Sequence, residues 1–354
     1  GLLLAPYLVK LLAPGFSGEL YLFTVQLARM MLLAVPFLAL ASVATPLLHA
    51  HGSFLLPAAI GFPYNAALIA AVFLFGNRYG AVAAAAGFVI AVAGQFFLQY
   101  PALLRRKILA GEGGRHLYHP GVKEIALLTA PVLLGLVGAE INLIIDRILA
   151  SGLAEGSIAA LNFANRLKSL PDGLFAASLL TVFYPQLARL AAEGKREKFK
   201  ESLNRTGSAV VFLLLPSVGG FIVLNRPIVE VLFQRGAFDA RAVTLTSTAL
   251  FYYSFGLVFK ALGALLVRAF FSLGDTKTPL LITFAVVGIN ITLNLLLIGP
   301  MGHAGLALAT SLASVAGLVI SFLLLRRKIG GLQAKRFCCE VGKPCVAALL
   351  MGVF

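Results

Sequence analysis

Residues 279–299 decide the class of this protein, and they read PLLITFAVVGINITLNLLLIG. No charged side chain interrupts these 21 residues. A helix rises about 1.5 Å per residue, so about 20 mostly apolar residues cross a hydrocarbon core about 30 Å thick. Four residues later a second segment, 304–325, reads AGLALATSLASVAGLVISFLLL. The two segments predict a pair of neighbouring transmembrane helices.

The rest of the sequence repeats this pattern. Of the 354 residues, 60% are apolar and 12% are charged, and the mean hydropathy is +0.94. Such a chain cannot cover its apolar side chains with polar surface, which excludes a soluble domain. We predict an all-α polytopic membrane protein with nine complete transmembrane helices and partial ones at both ends. The nine segments are 30–48, 54–75, 79–104, 122–150, 157–188, 206–224, 242–272, 279–299 and 304–325, and the partial ones are 1–12 and 341 onward.

The basic residues indicate how the helices are oriented. Lysine and arginine number 29 against 14 acidic residues, for a net charge of +15. They cluster in the loops at 105–123, 189–205 and 326–336, whereas 151–156 and 299–303 contain no Lys or Arg. The positive-inside rule makes the first group cytoplasmic. The charge therefore predicts topology rather than nucleic-acid binding, and it is compatible with contacts to anionic lipid headgroups.

A polar stripe marks the segment 157–188. Asn162, Arg166 and Ser169 recur there at helical spacing, so they share one face. An ionisable side chain at the bilayer centre costs about 2.5 to 3.5 kcal/mol, and it therefore usually faces a polar cavity or a partner. Because the guanidinium is always charged and offers bidentate donors, the stripe predicts a cavity that presents Arg166 to a phosphate.

Neighbouring charges leave a second interpretation of Arg166 open. Lys168 and Asp172 lie four residues apart on an adjoining face, and we expect them to neutralise each other. This leaves Arg166 without a helical partner of opposite charge. An interhelical ion pair with Asp146 or Glu140 of the preceding segment is the alternative to phosphate binding.

A second set of polar residues predicts a cation site. It combines a carboxylate, two amides and a hydroxyl from three segments: Asp146, Asn290, Asn294 and Thr310. Hard oxygen ligands of this kind suit a sodium ion or a site that takes a proton. The alternative is that the amides and the hydroxyl only join helices by hydrogen bonds. We predict no other metal and no organic cofactor.

Other features carry less information about function. Arg29 and Arg268 are further candidates for the cavity, although each lies near the end of its predicted segment, where an interfacial anchor or a snorkelling side chain is the alternative. The segment 225–241, NRPIVEVLFQRGAFDAR, is too short and too charged to span, and it predicts an amphipathic helix at the outer interface. No metal, acid–base or nucleophile motif indicates covalent chemistry.

Several motifs together resemble those of the MurJ (MviN) family of lipid II flippases. The similarity covers essentially the whole chain. The most specific part is LFQRGAF followed, one segment later, by DTKTP. The matching stretches are LLAPGF at 11–16, the Pro and Asn pattern at 57–65, FANRLKSLP at 163–171, LFQRGAF at 232–238, DTKTP at 275–279 and IGPMGHAGLALATSLA at 298–313.

The resemblance implies a fold and a domain organisation. The family has two pseudosymmetric helical lobes around a central cationic cavity, about fourteen helices, and a relationship to multidrug and oligosaccharide-lipid exporters. By this comparison the chain is expected to be a fragment that begins late in the third helix and stops early in the thirteenth. We then assign 1–110 to the remainder of the N-terminal lobe, 111–328 to the C-terminal lobe and 329–354 to the start of an additional helix.

The resemblance also implies roles for individual residues. Arg166 matches a cavity arginine, but Asn165 replaces the Asp that precedes it in many relatives. Asp146, Asn290, Asn294 and Thr310 match a cation site seen in some relatives. Asn294 stands where such a site can carry a second carboxylate, so we expect weaker cation binding.

We therefore expect a transporter rather than an enzyme. It would move undecaprenyl-pyrophosphate-linked disaccharide-peptide from the inner to the outer leaflet of the bacterial plasma membrane by alternating access. Sodium or a proton is the candidate coupling ion, and other cell-wall synthesis proteins are candidate partners. One rival is a multidrug or O-antigen exporter of the same superfamily. A membrane transferase acting on polyprenyl phosphate is the other, and it would need an Asp-rich or His-containing loop for metal or acid–base chemistry, for which we find no motif.

Overall fold

A computed structural model of the protein describes residues 2–53, 55–105 and 140–331. These residues form helices joined by short connections, and no strand occurs among them, which confirms the predicted all-α class. The chain divides into two compact units, Gly1–Thr129 and Ala130–Phe354. The predicted lobe boundary at 110/111 and nearly all of the predicted segment 329–354 lie outside the described residues.

The described part of the first unit contains one 3-10 turn and six α-helices. The turn is Leu2–Leu4, and the helices are α1 Ala5–Leu12, α2 Gly18–Leu32, α3 Val35–Ala50, α4 Leu55–Ala59, α5 Gly61–Tyr79 and α6 Ala81–Arg105. Gly80 connects α5 to α6 with φ +56°, a left-handed conformation that glycine adopts without steric cost. The Thr45 hydroxyl donates a 2.9 Å hydrogen bond to the fully buried Gln99 Oε1, joining α3 to α6.

The position of Arg29 differs from the prediction. We expected Arg29 at the edge of a span starting at residue 30, but α2 begins at Gly18, and α2 with α3 forms one apolar stretch of 33 residues, Gly18–Ala50. Only Glu19 and Arg29 are charged in that stretch, and two charges do not prevent so long a helical segment from crossing. Arg29 is therefore inside a candidate span.

The second unit contains nine helices within residues 140–331. They are α7 (residues 140–150), α8 Ser157–Pro171, α9 Ser178–Ala192, α10 Arg196–Val223, α11 Asn225–Phe233, α12 Ala240–Ser254, α13 Leu257–Ser272, α14 Lys277–Met301 and α15 His303–Ile329. A π-helical stretch, Asp172–Ala177, joins α8 to α9 directly after Pro171. Proline cannot donate to the helical ladder, and such interruptions frequently occur at functional sites. The predicted helix within 225–241 is α11.

A bend between α12 and α13 divides the segment that we predicted at 242–272. The direction of the helix axis changes by 45° between α12 and α13. Gly256 lies at the bend, where an added Cβ would come within 2.7 Å of the Ser311 backbone. The Ser311 hydroxyl donates a 2.6 Å hydrogen bond to the Tyr252 carbonyl. The side chain from α15 thus satisfies a backbone group at the bend, as a membrane-embedded break requires.

Seven described segments are long and apolar enough to cross a membrane, or eight if the bent pair α12–α13 counts as one span. They correspond to eight of the nine predicted segments. Most of the remaining one, 122–150, lies outside the described residues, and its described part is α7. The protein is therefore a multi-pass membrane protein. The prediction at 206–224 was too short, because α10 begins ten residues earlier, at Arg196.

Candidate functional site

A polar cavity of about 510 Å³ lies within the second unit. Helices α7, α8, α12, α13, α14 and α15 supply its lining. The polar and ionisable lining residues are Glu140, Asn142, Asp146, Arg147, Asn162, Asn165, Lys168, Ser169, Tyr253, Lys260, Asn290, Thr310 and Ser314. Polar side chains at this density are expensive inside a bilayer, so the cavity is the strongest candidate for a functional site in this unit.

Three of the four residues predicted to hold a cation line this cavity, and the fourth is bonded to two of them. Asn294 Nδ2 donates hydrogen bonds to Asp146 Oδ1 at 2.7 Å and to Asn290 Oδ1 at 2.9 Å. Asn290 and Asn294 lie one turn apart on α14 and are both buried. Thr310 lines the cavity from α15 and donates to the Leu306 carbonyl. The structure therefore brings the predicted set together, with Asn294 as its centre.

The carboxylate determines the orientation of the Asn294 amide. An ionised carboxylate only accepts hydrogen bonds, so the Asn294 atom that contacts Asp146 must be the nitrogen. The Asn294 oxygen then faces away, buried and without a hydrogen-bond partner in the described part of the chain, and the same holds for Asn142 Oδ1. Two amide oxygens near Asp146 are thus free to accept.

Lys168 occupies a position that we did not predict. Its side chain is buried, and its Nζ lies 4.1 Å from the centre of the Tyr253 ring on α12. The expected neutralisation by Asp172 was wrong: Asp172 pairs with Lys260 of α13 at 2.9 Å. A desolvated ammonium over an aromatic face is stabilised by the ring quadrupole. Lys168 therefore places a buried amino group, which is positively charged when protonated, in the same cavity that contains Asp146.

The residues of the predicted polar stripe on α8 do not all face the cavity. Asn162 and Ser169 line the cavity, but Arg166 is exposed and is not part of the lining. The alternative pairing of Arg166 with Asp146 or Glu140 is not observed, and among residues 140–331 no acidic group lies within ion-pair distance of Arg166. Its guanidinium remains available to a ligand, so its role in phosphate binding stays a prediction.

The two other arginine candidates lie elsewhere. Arg29 lines a cavity of about 340 Å³ in the first unit, together with Tyr21, Gln26 and apolar side chains of α1 and α2. Arg268 lies one turn before the end of α13. One of its guanidinium nitrogens is buried and has no partner among the described residues. Neither arginine belongs to the lining of the cavity around Asp146.

Comparison with known sequences identifies the family to which the whole chain is similar. The sequence model of the family described as "Lipid II flippase MurJ" matches residues 1–354. The lipid II flippase MurJ of Burkholderia cenocepacia is 30% identical over 332 residues, which cover 92% of this chain and 64% of that protein. A probable lipid II flippase MurJ of Thermotoga maritima is 32% identical over 353 residues, covering 98% of this chain and 68% of that protein.

Comparison with solved structures gives the same result for the fold. A structure of "Lipid II flippase MurJ, inward closed conformation" matches with a TM-score of 0.83 and 26% identity, covering 99% of this chain and 72% of that one. An inward-facing multidrug transporter of the MATE family matches with a TM-score of 0.79 but only 15% identity, covering 92% of this chain and 76% of that one. The chain spans less than two thirds of the length of the first curated relatives that it matches.

Proposed function

The chain belongs to the MurJ family, and we propose that it acts as a lipid II flippase in the plasma membrane of a bacterium. Its cargo would be the undecaprenyl-pyrophosphate-linked disaccharide-peptide, which it would carry from the inner to the outer leaflet. The main support for this proposal is that the family sequence model matches residues 1–354. The MATE transporter, at 15% identity, supports a shared fold and no shared substrate.

The proposed chemistry is transport without any change of covalent bonds. The polyprenyl chain of such a cargo stays in hydrocarbon, whereas its sugars and pyrophosphate must cross a region where unpaired charge is costly. Side chains that replace the water around the pyrophosphate lower this cost. Arg166 suits that role because it is exposed, carries a permanent charge and has no ion-pair partner among the described residues. Alternating access would then release the headgroup at the outer surface, where cell-wall synthesis enzymes would use it.

A chimera tests the proposal. We would insert this chain in place of the 332 matched residues of the Burkholderia cenocepacia relative and express the chimera in a strain depleted of its own lipid II flippase. Growth should be restored, and the lipid-linked precursor should become reactive toward a membrane-impermeant amine reagent. A chimera that reaches the membrane in normal amounts, yet restores neither growth nor outer-leaflet reactivity, contradicts the proposal and favours another amphiphile as cargo.

A further inference from the structure

The buried ammonium of Lys168 changes what the predicted cation site can hold. We propose that Lys168 supplies, as part of the chain, the positive charge that a bound sodium ion would bring to Asp146. The site formed by Asp146, Asn290, Asn294 and Thr310 would then bind no sodium. The inference concerns cation binding alone and stands whether or not the cargo is lipid II.

The first reason for this proposal is the balance of charges among the residues that line the cavity. Its ionisable lining residues are two acids, Glu140 and Asp146, and three bases, Arg147, Lys168 and Lys260. One of the bases, Lys260, is compensated by Asp172. The remaining two bases already balance the two acids. A sodium ion that enters this cavity beside the buried Lys168 would therefore add an uncompensated positive charge, which raises its free energy.

The second reason is that Lys168 is buried beside the cavity without an acidic partner of its own among the described residues. Its relative exposure is 7%, and the Tyr253 ring lies 4.1 Å from Nζ. No acidic side chain of residues 140–331 forms an ion pair with Lys168, so the cavity with its carboxylates is where this charge is balanced. Because Lys168 is covalently part of α8, its ammonium loses no translational entropy when it occupies the cavity, whereas a sodium ion from solution does. The ammonium therefore competes well with such an ion.

The third reason is that the Asn294 amide nitrogen lies where a sodium ion would bind. In a sodium site the oxygens of Asp146 and Asn290 would both point at the ion. Here both accept hydrogens from Asn294 Nδ2, so the nitrogen occupies the position between them. Free amide oxygens are nevertheless present at Asn142 and Asn294. Ligand atoms are therefore available, and the obstacle to sodium is the ammonium together with the amide bridge.

Sodium-dependent thermal unfolding of the purified protein in detergent tests this inference. Sodium chloride would be compared with choline chloride at equal ionic strength for the unmodified chain and for K168M, K168M/N294D, K168R and K260M/D172N. K168M removes the buried charge, and N294D adds a second carboxylate. K168R keeps the charge, and K260M/D172N is the matched control because it removes a lysine of the same cavity together with the acid that compensates it.

The unmodified chain, K168R and K260M/D172N should each unfold at the same temperature in both salts. The midpoint of K168M/N294D should rise by roughly 2–4 °C in sodium, and that of K168M by less, because an ion that binds only the folded state stabilises it. A sodium-specific rise in the unmodified chain that disappears in D146N would overturn the inference. A folded, monodisperse K168M/N294D protein without any sodium response would overturn it as well.

Discussion

Asn294 and Asp146, 148 positions apart in the sequence, are joined by a 2.7 Å hydrogen bond from the amide nitrogen to the carboxylate. The bond links α14 to α7. Because the same nitrogen also donates to Asn290, one amide group satisfies two acceptors, of which the Asn290 oxygen belongs to a buried side chain. Asn294 is fully buried, so water does not replace these bonds when they are lost. The pair therefore contributes to the packing of the cavity wall as well as to its chemistry.

Replacing Asn294 by Leu should destabilise the protein. The change leaves the Asp146 carboxylate and the Asn290 oxygen without the donor they now share, and a buried unpaired acceptor costs about 1–3 kcal/mol. Thermal unfolding in detergent would measure the loss. Thr292→Val is the control on the same helix, since Thr292 is exposed and donates only to the Gly288 carbonyl one turn before it. Equal losses in the two variants would contradict this account.

The close approach of α14 and α15 makes Gly305 intolerant of a side chain. A Cβ at Gly305 would lie 2.3 Å from the Leu297 carbonyl oxygen, far inside van der Waals contact, so the helices must separate. We expect Gly305→Ala to lower the free energy of unfolding by about 1–3 kcal/mol. Gly288→Ala, also on α14, meets no atom within 4 Å and should be neutral or stabilising by up to about 1 kcal/mol. The opposite order of stabilities would show that the two helices are not packed as described.

The sequence predicted well where the helices lie and which side chains of the predicted cation set share a cavity, but not that Arg166, Arg29 and Arg268 lie outside it. Asp146, Asn290 and Thr310 do line one cavity, because carboxylate, amide and hydroxyl groups are costly against lipid and turn inward from whichever helix carries them. The bounds of several helices were less accurate. Arg29 and the basic start of α10 are helical although they are charged, since backbone hydrogen bonding continues beyond the apolar part of a segment.

The position of Lys168 could not be predicted from its own helix. Periodicity places Lys168 and Arg166 on different faces of α8, but it does not say which face meets protein, since membrane helices are apolar on many sides. The deciding contact is with Tyr253 on α12, 85 residues away. The spacing of Lys168 and Asp172 favoured a local ion pair. The structure pairs Asp172 with Lys260 instead, from a helix that the local pattern does not include.

Asp275 in the turn before α14 predicts a dependence of stability on pH. The Lys328 ammonium, together with the Thr278 backbone N–H and hydroxyl, holds the pKa of this carboxyl well below its ordinary range. A carboxyl whose folded pKa is depressed stabilises the fold above its unfolded pKa of about 3.9 and loses that contribution as pH falls further.

Asp275→Asn should therefore lower the unfolding midpoint by a constant amount above about pH 5. The difference from the unmodified chain should shrink below about pH 4, because the unfolded state then binds a proton at Asp275 that the folded state does not yet bind. Lys328→Met should reproduce part of the effect because it removes the strongest cause of the depressed pKa. A difference that stays the same down to about pH 3 would show that Asp275 acts through shape and not through charge.

Arg166 provides the most direct test of cargo binding. If its guanidinium holds the pyrophosphate, Arg166→Ala in the chimera removes charge-assisted hydrogen bonds worth about 1.5–3 kcal/mol, or about a ten- to hundred-fold loss of affinity. Growth of the depleted strain should then fail while the amount of chimera in the membrane stays normal. Arg166→Lys should restore growth only in part, because an ammonium keeps the charge but lacks the bidentate geometry.

Arg196→Ala is the matched control for this experiment. Arg196 is equally an exposed arginine, but it is the first residue of α10 and does not belong to the polar stripe of α8, so its loss should leave growth unchanged. Full growth with Arg166→Ala would show that the pyrophosphate is held elsewhere. Reduced membrane levels with Arg166→Ala, but not with Arg166→Lys, would instead indicate that the charge stabilises the fold, because a structural ion pair needs only the charge.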